Sequence, residues 1–538
     1  MSEYTLVVLE TSQIQSYIFN SNRLKENIGA SQLVAAATED WVKEAVSTFT
    51  AHNLTSNGFD DSKRIEDGQL AVEVLYCGGG NAVLLFKADD DARQCIRQLS
   101  RRAIEEARGL RLTFHKQSIQ WDEPLSAAVS DALEKLKKQR SHQPSRTGIG
   151  GLGVTAMCAS TSLPAVMMDK DPDDNWEAIS AEVCHKRKAS EAANKNLRKM
   201  IELPNNYRYP LDFDDLGRTK GESSFIAVVH ADGNDMGQLI KDMKKDYRTS
   251  ADNRKYIRAM RRFSENVKAA SKAAMITMCN KLMRSIEDGE IFAQGDLPNI
   301  ELKKKDGHYI LPFRPLVSGG DDITFVCDGR LGIDLAVHFI EAFEKQTAQI
   351  LGEKLTACAG VAIVHAHYPF ARAYELAEEL CKSAKLARYD SKRLNSSLLD
   401  WHYTTGGLYD ELKAMRSREY ESSDGKMLYL RPVFITGDVD NVQTWHQIQR
   451  AITHLQSKWG GSRSKAKGFM SALRGGDAEA QAFKVRYLDK DENLALPAIA
   501  GIADGVMWHS GRSLYYDALE LMDLYFPVRE KLSDVPTN

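Results

Sequence analysis

Two glycine turns constrain this chain more than any other feature. Residues 77–81 (CGGGN) join the apolar runs 71–76 (AVEVLY) and 82–86 (AVLLF), and residues 318–322 (SGGDD) join 309–317 (YILPFRPLV) and 323–327 (ITFVC). Consecutive glycines between apolar runs signal a β-hairpin, because a tight turn needs positive φ. Each hairpin has similar neighbours. Residues 4–10 (YTLVVLE) read as a buried strand. Ile14, Tyr17, Ile18, Leu24 and Ile28 mark an apolar helix face after it, and residues 90–108 read as a further helix. Around the second turn, 225–230 (FIAVVH) and 355–365 (LTACAGVAIVH) read as strands, with helices at 254–286, 331–352 and 368–388. The order strand, helix, hairpin, helix thus occurs twice and predicts an α+β chain with two ferredoxin-like units, the second carrying an insertion. Beyond 405 strand signals thin out, and 443–457, 463–474 and 511–530 read as helices of a C-terminal domain.

A chain of 538 residues has room for three to four domains. The Gly/Ser/Pro-rich stretch 141–153 (SHQPSRTGIGGLG) marks a boundary. The expected division is 1–145, a small intermediate domain at 146–220, 221–410, and 411–538. Residues 154–215 are poorly periodic. A net charge of -3 excludes bulk electrostatic attraction to nucleic acid or anionic membrane, so any such surface is a local patch. One such stretch is 458–468 (KWGGSRSKAKG), with four basic residues, which reads as a solvated helix face or a contact for RNA or a partner subunit. No run of 18 apolar residues exists, and the first residues lack a signal-peptide pattern, which points to a cytoplasmic protein and no membrane partner. The eight cysteines contain no CxxC pair and read as free thiols. Cys158, Cys184 and His185 are too few for a zinc site, so no zinc is expected.

The chemistry is expected where acids meet glycines at strand ends. Asp232 closes the strand 225–230, and Asp321 and Asp322 follow the glycines of the second turn. If a first strand and a central hairpin lie side by side, three carboxylates converge and repel unless cations neutralise them. Hard oxygen ligands suit Mg²⁺ or Mn²⁺, and two such ions activate a hydroxyl and stabilise a leaving pyrophosphate. Gly233, Asn234, Asp235, Met236 and Gly237 turn the strand into a helix, where backbone N–H groups can hold a triphosphate. Lys382 and Lys385 are candidate phosphate contacts.

The ordered set of segments resembles the large palm-domain subunit of type III CRISPR effector complexes, the cyclic oligoadenylate synthase family. It comprises IQSYIFNSNRLKENIGASQLV (14–34), GGGNAVLLF (78–86), HADGNDMG (230–237), SGGDDITFV (318–326), CAGVAIVHAHYPF (358–370) and SLLDWH (397–402). The resemblance spans most of 1–410. It implies two palm domains, related to those of polymerases and GGDEF-type cyclases, plus a helical C-terminal domain. It also implies synthesis of cyclic oligoadenylate from ATP. In that reading Asp232, Asp321 and Asp322 hold two Mg²⁺ or Mn²⁺ ions and help activate the attacking 3′-hydroxyl. Ser318, Gly319, Gly320 and the 233–237 turn line the ATP, and Lys385 binds phosphate. The first turn lacks the acidic pair, so the first palm is expected to bind no catalytic metal, with Gly79, Gly80 and Asn81 near an acceptor nucleotide.

Two departures from the family follow. No His-Asp dipeptide occurs, so the HD nuclease domain is expected to be absent, and the four-cysteine zinc module is reduced to Cys158 and Cys184. Two settings stay open: a subunit bound to guide and target RNA and other effector subunits, or a stand-alone relative that forms a homo-oligomer. Rival readings are a cyclase making a different cyclic dinucleotide or oligonucleotide, and a scaffold subunit with a vestigial site.

Overall fold

The computed structural model describes residues 3–56, 58–141, 153–171, 174–216, 224–294, 297–404, 411–435 and 442–529. Nearly all of the expected boundary at 141–153 lies outside these residues. The chain divides into two compact units: Met1–Glu202 with Asp235–Ser271 and Leu316–Ile323, and Leu203–Asn234 with Lys272–Pro315 and Thr324–Asn538.

The first unit is built on a four-stranded sheet of β1 (Glu3–Ser12), β2 (Val72–Gly78), β3 (Asn81–Phe86) and β4 (Arg111–Gln120), in the order β2-β3-β1-β4. The central β1 runs antiparallel to β3 and β4, with Glu10 opposite Asn81. Helix α1 (Leu24–Thr38) lies between β1 and β2 in the chain, and α2 (Asp89–Glu106) between β3 and β4. This is the expected ferredoxin-like palm. Leu6, Val8, Val83 and Leu85 share a core with Leu125 and Val129 of α3 (Leu125–Ser141). Each such fully buried aliphatic side chain contributes about 1.5–3 kcal/mol. The expected single apolar face from Ile14 is split: Ile14–Phe19 forms a short helix before α1.

Residues 154–215 contain a long helix that periodicity did not show, α4 (Ala181–Met200). Its buried positions include Glu182, Lys186 and Arg187. Lys186 donates to Tyr17 O and Glu182, and Arg187 donates to Glu26. Gly29 of α1 makes this packing possible: a Cβ there would sit 1.6 Å from Lys186 O.

The insert that follows the first strand of the second palm begins with α5 (Met236–Asp246) and α6 (Asn253–Arg284). Residues 235–271 of it belong to the first unit. There Tyr256, Ile257 and Met260 join the first core, and Arg254 and Arg261 both bind the fully buried Glu73. The second sheet has six strands. They are β5 (Phe225–Gly233), β6 (Phe313–Gly319), β7 (Asp322–Asp328), β8 (Ala357–His365), β9 (Leu398–Tyr403) and β10 (Val433–Phe434). Their order, β6-β7-β5-β8-β9-β10, repeats the first palm and adds two strands. Helices α7 (Gly332–Leu351) and α8 (Phe370–Asp390) pack on this sheet. Gly360 of β8 admits α8 closely, since a Cβ there would meet Ala377 O at 2.1 Å.

The C-terminal part is mostly helical: α9 (Leu412–Glu419), α10 (Trp445–Trp459), α11 (Arg463–Arg474), α12 (Asp477–Tyr487) and α13 (Tyr516–Leu521). The expected helix over 511–530 is confined to α13. Gly511, at φ 74, precedes it and Pro527 follows, and both residues oppose a continuous helix.

Candidate functional site

Strand β5 is buried from Ile226 to Ala231, and at Asp232, near its C-terminal end, the side chain becomes partly accessible. Seven apolar or neutral residues thus fix the strand, and the eighth presents a carboxylate at its end. Lys385 of α8 donates to Asp232 Oδ2 at 2.5 Å and to Gly233 O at 3.1 Å. Burial presses the Lys385 pKa down, but the Asp232 carboxylate outweighs it and the net shift is upward. Lys385 therefore stays charged across the neutral range. His230, two residues earlier on the same strand face, is buried and meets Thr324 of β7 at 3.1 Å.

Asn234 is 4% exposed and is locked to Thr356 twice, through its backbone N–H (2.8 Å) and its side-chain amide (2.9 Å). The chain then turns through Asp235, which takes φ 59, into α5. Met236 is buried, and a Cβ at Gly237 would meet nothing within 4 Å. The first turn of α5 is thus open, as an anion-holding turn must be.

The second glycine turn carries Ser318 exposed and Gly319, Gly320, Asp321 and Asp322 half-buried. Gly320 has φ 90, a conformation few residues other than glycine adopt. Asp322 opens β7, which neighbours β5 in the sheet. Within the first unit the two glycine turns meet: a Cβ at Gly79 would lie 3.6 Å from Gly319 O. Gly80 O accepts from both the N–H (2.9 Å) and the hydroxyl (3.0 Å) of Thr11, which pins the first turn to β1. Asn81 opens β3.

Two lysines that sequence reasoning missed stand beside the first turn. Glu39 accepts from Lys268 at 2.5 Å and from Lys43 at 2.9 Å. Burial alone would raise the Glu39 pKa, but these two ammonium groups bring it below the usual value. A Cβ at Gly78 would lie 3.6 Å from Glu39 Oε2 and 3.9 Å from Lys268 Nζ. No spacing rule could join Lys268 to a turn some 190 residues earlier; only the fold does so.

Lys382 is placed differently from Lys385. It is exposed and pairs with Glu378 on its own helix at 2.9 Å. Among the described residues, no three His, Cys, Asp or Glu side chains form a group that could hold a metal ion. His365, at the end of β8, packs its ring against Phe225 with centroids 4.2 Å apart and the planes tilted by 32°.

Residues 225–393 match the family model of the Cas10/Cmr2 second palm domain. No curated protein sequence matches the chain. Among solved structures it is similar to the Csm1–Csm4 cassette in complex with cA4. That match has 12% identity and a TM-score of 0.52, and covers 97% of this chain and 70% of that one. The cassette in complex with pppApA gives 13% identity and a TM-score of 0.52, covering 98% and 70%. Csm1 of T. onnurineus gives 15% and 0.50, covering 97% and 70%. At these identities the structural likeness speaks for the fold.

Proposed function

We propose that this chain, whose residues 225–393 match the Cas10/Cmr2 second palm domain, joins ATP through 3′–5′ bonds and closes a cyclic oligoadenylate for CRISPR-type antiviral signalling. In each joining step a 3′-oxygen bonds to the α-phosphorus of a second ATP. The bond from that phosphorus to the β-phosphate oxygen breaks, and pyrophosphate leaves. The observation that carries this reading is the meeting of the two glycine turns within the first unit, Gly79 against Gly319 O. One turn bears the acidic pair and the other does not, so donor and acceptor nucleotides would have distinct seats. Similar structures are complexes with AMPPNP, ATP, pppApA and cA4, which supports nucleotide binding by this chain.

Asp232, Asp321 and Asp322 each carry hard oxygen donors of the kind Mg²⁺ or Mn²⁺ takes, although among the described residues they are not gathered into a group that could hold an ion. Such ions, when bound, would lower the cost of forming the attacking alkoxide and the leaving pyrophosphate. The chain's own residues position and balance charge. Lys385 places a permanent cation where a phosphate would lie beside Asp232. The open turn at 235–237 and the glycines at 319–320 let backbone approach the triphosphate. Lys43 and Lys268 would face the phosphates of the acceptor beside Gly79, Gly80 and Asn81. Catalysis would then rest on positioning and electrostatics.

The test is incubation of the protein with each NTP and with all four, with Mg²⁺ and with Mn²⁺, products being read by liquid chromatography and mass spectrometry. The expected result is cyclic oligoadenylate from ATP, absent with Asp321→Ala/Asp322→Ala. A cyclic dinucleotide would replace the oligoadenylate assignment. A chain inert alone and with copurifying RNA and subunits would favour a scaffold.

A further inference from the structure

The second unit holds a cavity of about 1120 Å³ that the proposed reaction does not use. It opens at the end of the second sheet away from Asp232. Phe225, which begins β5, and Tyr403, which ends β9, both line it. Seven residue steps along the strand take the chain from Phe225 to Asp232, about 23 Å at the usual rise. The two rings are half-buried with centroids 5.2 Å apart, so they form an aromatic floor.

One wall is a single face of α11. Arg463, Lys467, Met470 and Arg474 all line the cavity, and their spacing of four, three and four places them along one stripe. The helix sequence RSKAKGFMSALR contains no acid. Arg463 and Lys467 lie about 6 Å apart along the axis, and Arg474 about 10 Å further. Among the described residues Lys467 carries no ion pair, and Arg474, also without one, lies with its guanidinium over the Tyr516 ring, 5.5 Å from the centroid. Arg463 pairs with Asp523 at 3.0 Å, but both side chains are more than half exposed, and such a pair is weak enough to exchange for a phosphate. Five carboxylates also line the cavity: Glu520 holds the buried Arg431 and the Tyr420 hydroxyl, Asp328 holds Arg330, Glu419 pairs with Arg418 and Asp523 with Arg463, while Glu421 is exposed.

We propose that this cavity binds a short single-stranded oligonucleotide, its phosphates along Arg463, Lys467 and Arg474 and a base against Phe225 and Tyr403. A cationic track beside aromatic faces is the physical means by which proteins hold single strands. The overall charge of -3 makes the contact a local one that depends on salt. The proposal does not rest on the assigned reaction, because the cavity lies at the other end of the sheet.

The experiment is fluorescence anisotropy of the full chain with two labelled ribonucleotide probes, a 5′-phosphorylated trinucleotide and a 20-mer, across a salt series. Asp321→Ala/Asp322→Ala should bind both as the unaltered protein does. Arg463→Ala/Lys467→Ala should weaken binding at least tenfold and reduce the log–log salt slope by about 1.4, at 0.7 per phosphate contact. Tyr403→Leu should weaken it about five- to hundredfold. Binding confined to the trinucleotide identifies a free short ligand, and binding of the 20-mer identifies a segment of longer RNA; both support the site. Absence of binding, or binding indifferent to the α11 and Tyr403 changes, overturns it. The latter result would also be expected if the groove takes a peptide segment. Binding lost only with the aspartate pair would assign the ligand to the glycine turns and overturn it too.

Discussion

The two palm sheets share one strand order and differ at one turn. β2-β3-β1-β4 and β6-β7-β5-β8 are the same arrangement, each with a glycine hairpin at its edge. The first turn reads Cys77-Gly-Gly-Gly-Asn81 and the second Ser318-Gly-Gly-Asp-Asp322. Both supply the positive φ of a tight turn: Gly79 has φ 62 and Gly320 φ 90. The scaffold is therefore indifferent to the two acids. Their cost is electrostatic, and it is sensible only where charge on a substrate or ion offsets it. The charge balance differs as well. The first turn has lysines held by Glu39, and the second sheet has Lys385 held by Asp232.

This contrast can be broken at its strongest point first. Asp232→Asn should reduce nucleotide joining at least a thousandfold, about 4 kcal/mol in the barrier, with little change in thermal midpoint. A rate within tenfold would remove Asp232 from the account. Next is the anchor of the first palm. Glu73 is fully buried and accepts from Arg254, Arg261 and Ile65 N–H. Glu73→Ala leaves two arginines short of a partner and should destabilise by about 3 kcal/mol in urea unfolding.

A smaller effect separates the second palm by pH. His338 of α7 faces Asp334 at 3.2 Å and Glu341 at 3.4 Å. Burial would lower its pKa, yet these carboxylates raise it to about 9. A raised folded-state value gives stability that is complete below about 6.5 and is lost as pH rises through about 9. The loss should be on the order of 1–3 kcal/mol, and His338→Gln should flatten the profile between those values. Unchanged curvature in the variant would remove His338 as the source. Least of all, Gly79→Ala puts a methyl 3.6 Å from Gly319 O at positive φ. It should raise the ATP concentration for half-maximal rate about three- to tenfold, near 1 kcal/mol of strain. No change would detach the first turn from acceptor binding.

Both palms were legible because their strands are apolar runs and their turns are glycines. The helix α4 was not, because its buried face carries Glu182, Lys186 and Arg187, which hydropathy counts as surface. Their burial depends on Tyr17 O and Glu26, far off in the chain. The start of α6 was read with the second palm, yet Arg254 and Arg261 tie it to Glu73 of the first unit. At the site, Asp232 and Lys385 could be named from sequence, and their ion pair is formed. Lys382, three residues away on the same helix, could not be told from Lys385; the structure gives it to Glu378. Lys43 and Lys268 carried no local signal at all.

The central claim is that the acidic pair, and not the turn itself, makes the second palm catalytic. The direct measurement is pyrophosphate release from ATP by the unaltered chain beside Asp321→Gly/Asp322→Asn, which gives the second turn the last two residues of the first. The account predicts a folded protein of unchanged thermal midpoint with release reduced at least a thousandfold. Release within tenfold of the unaltered chain would contradict it.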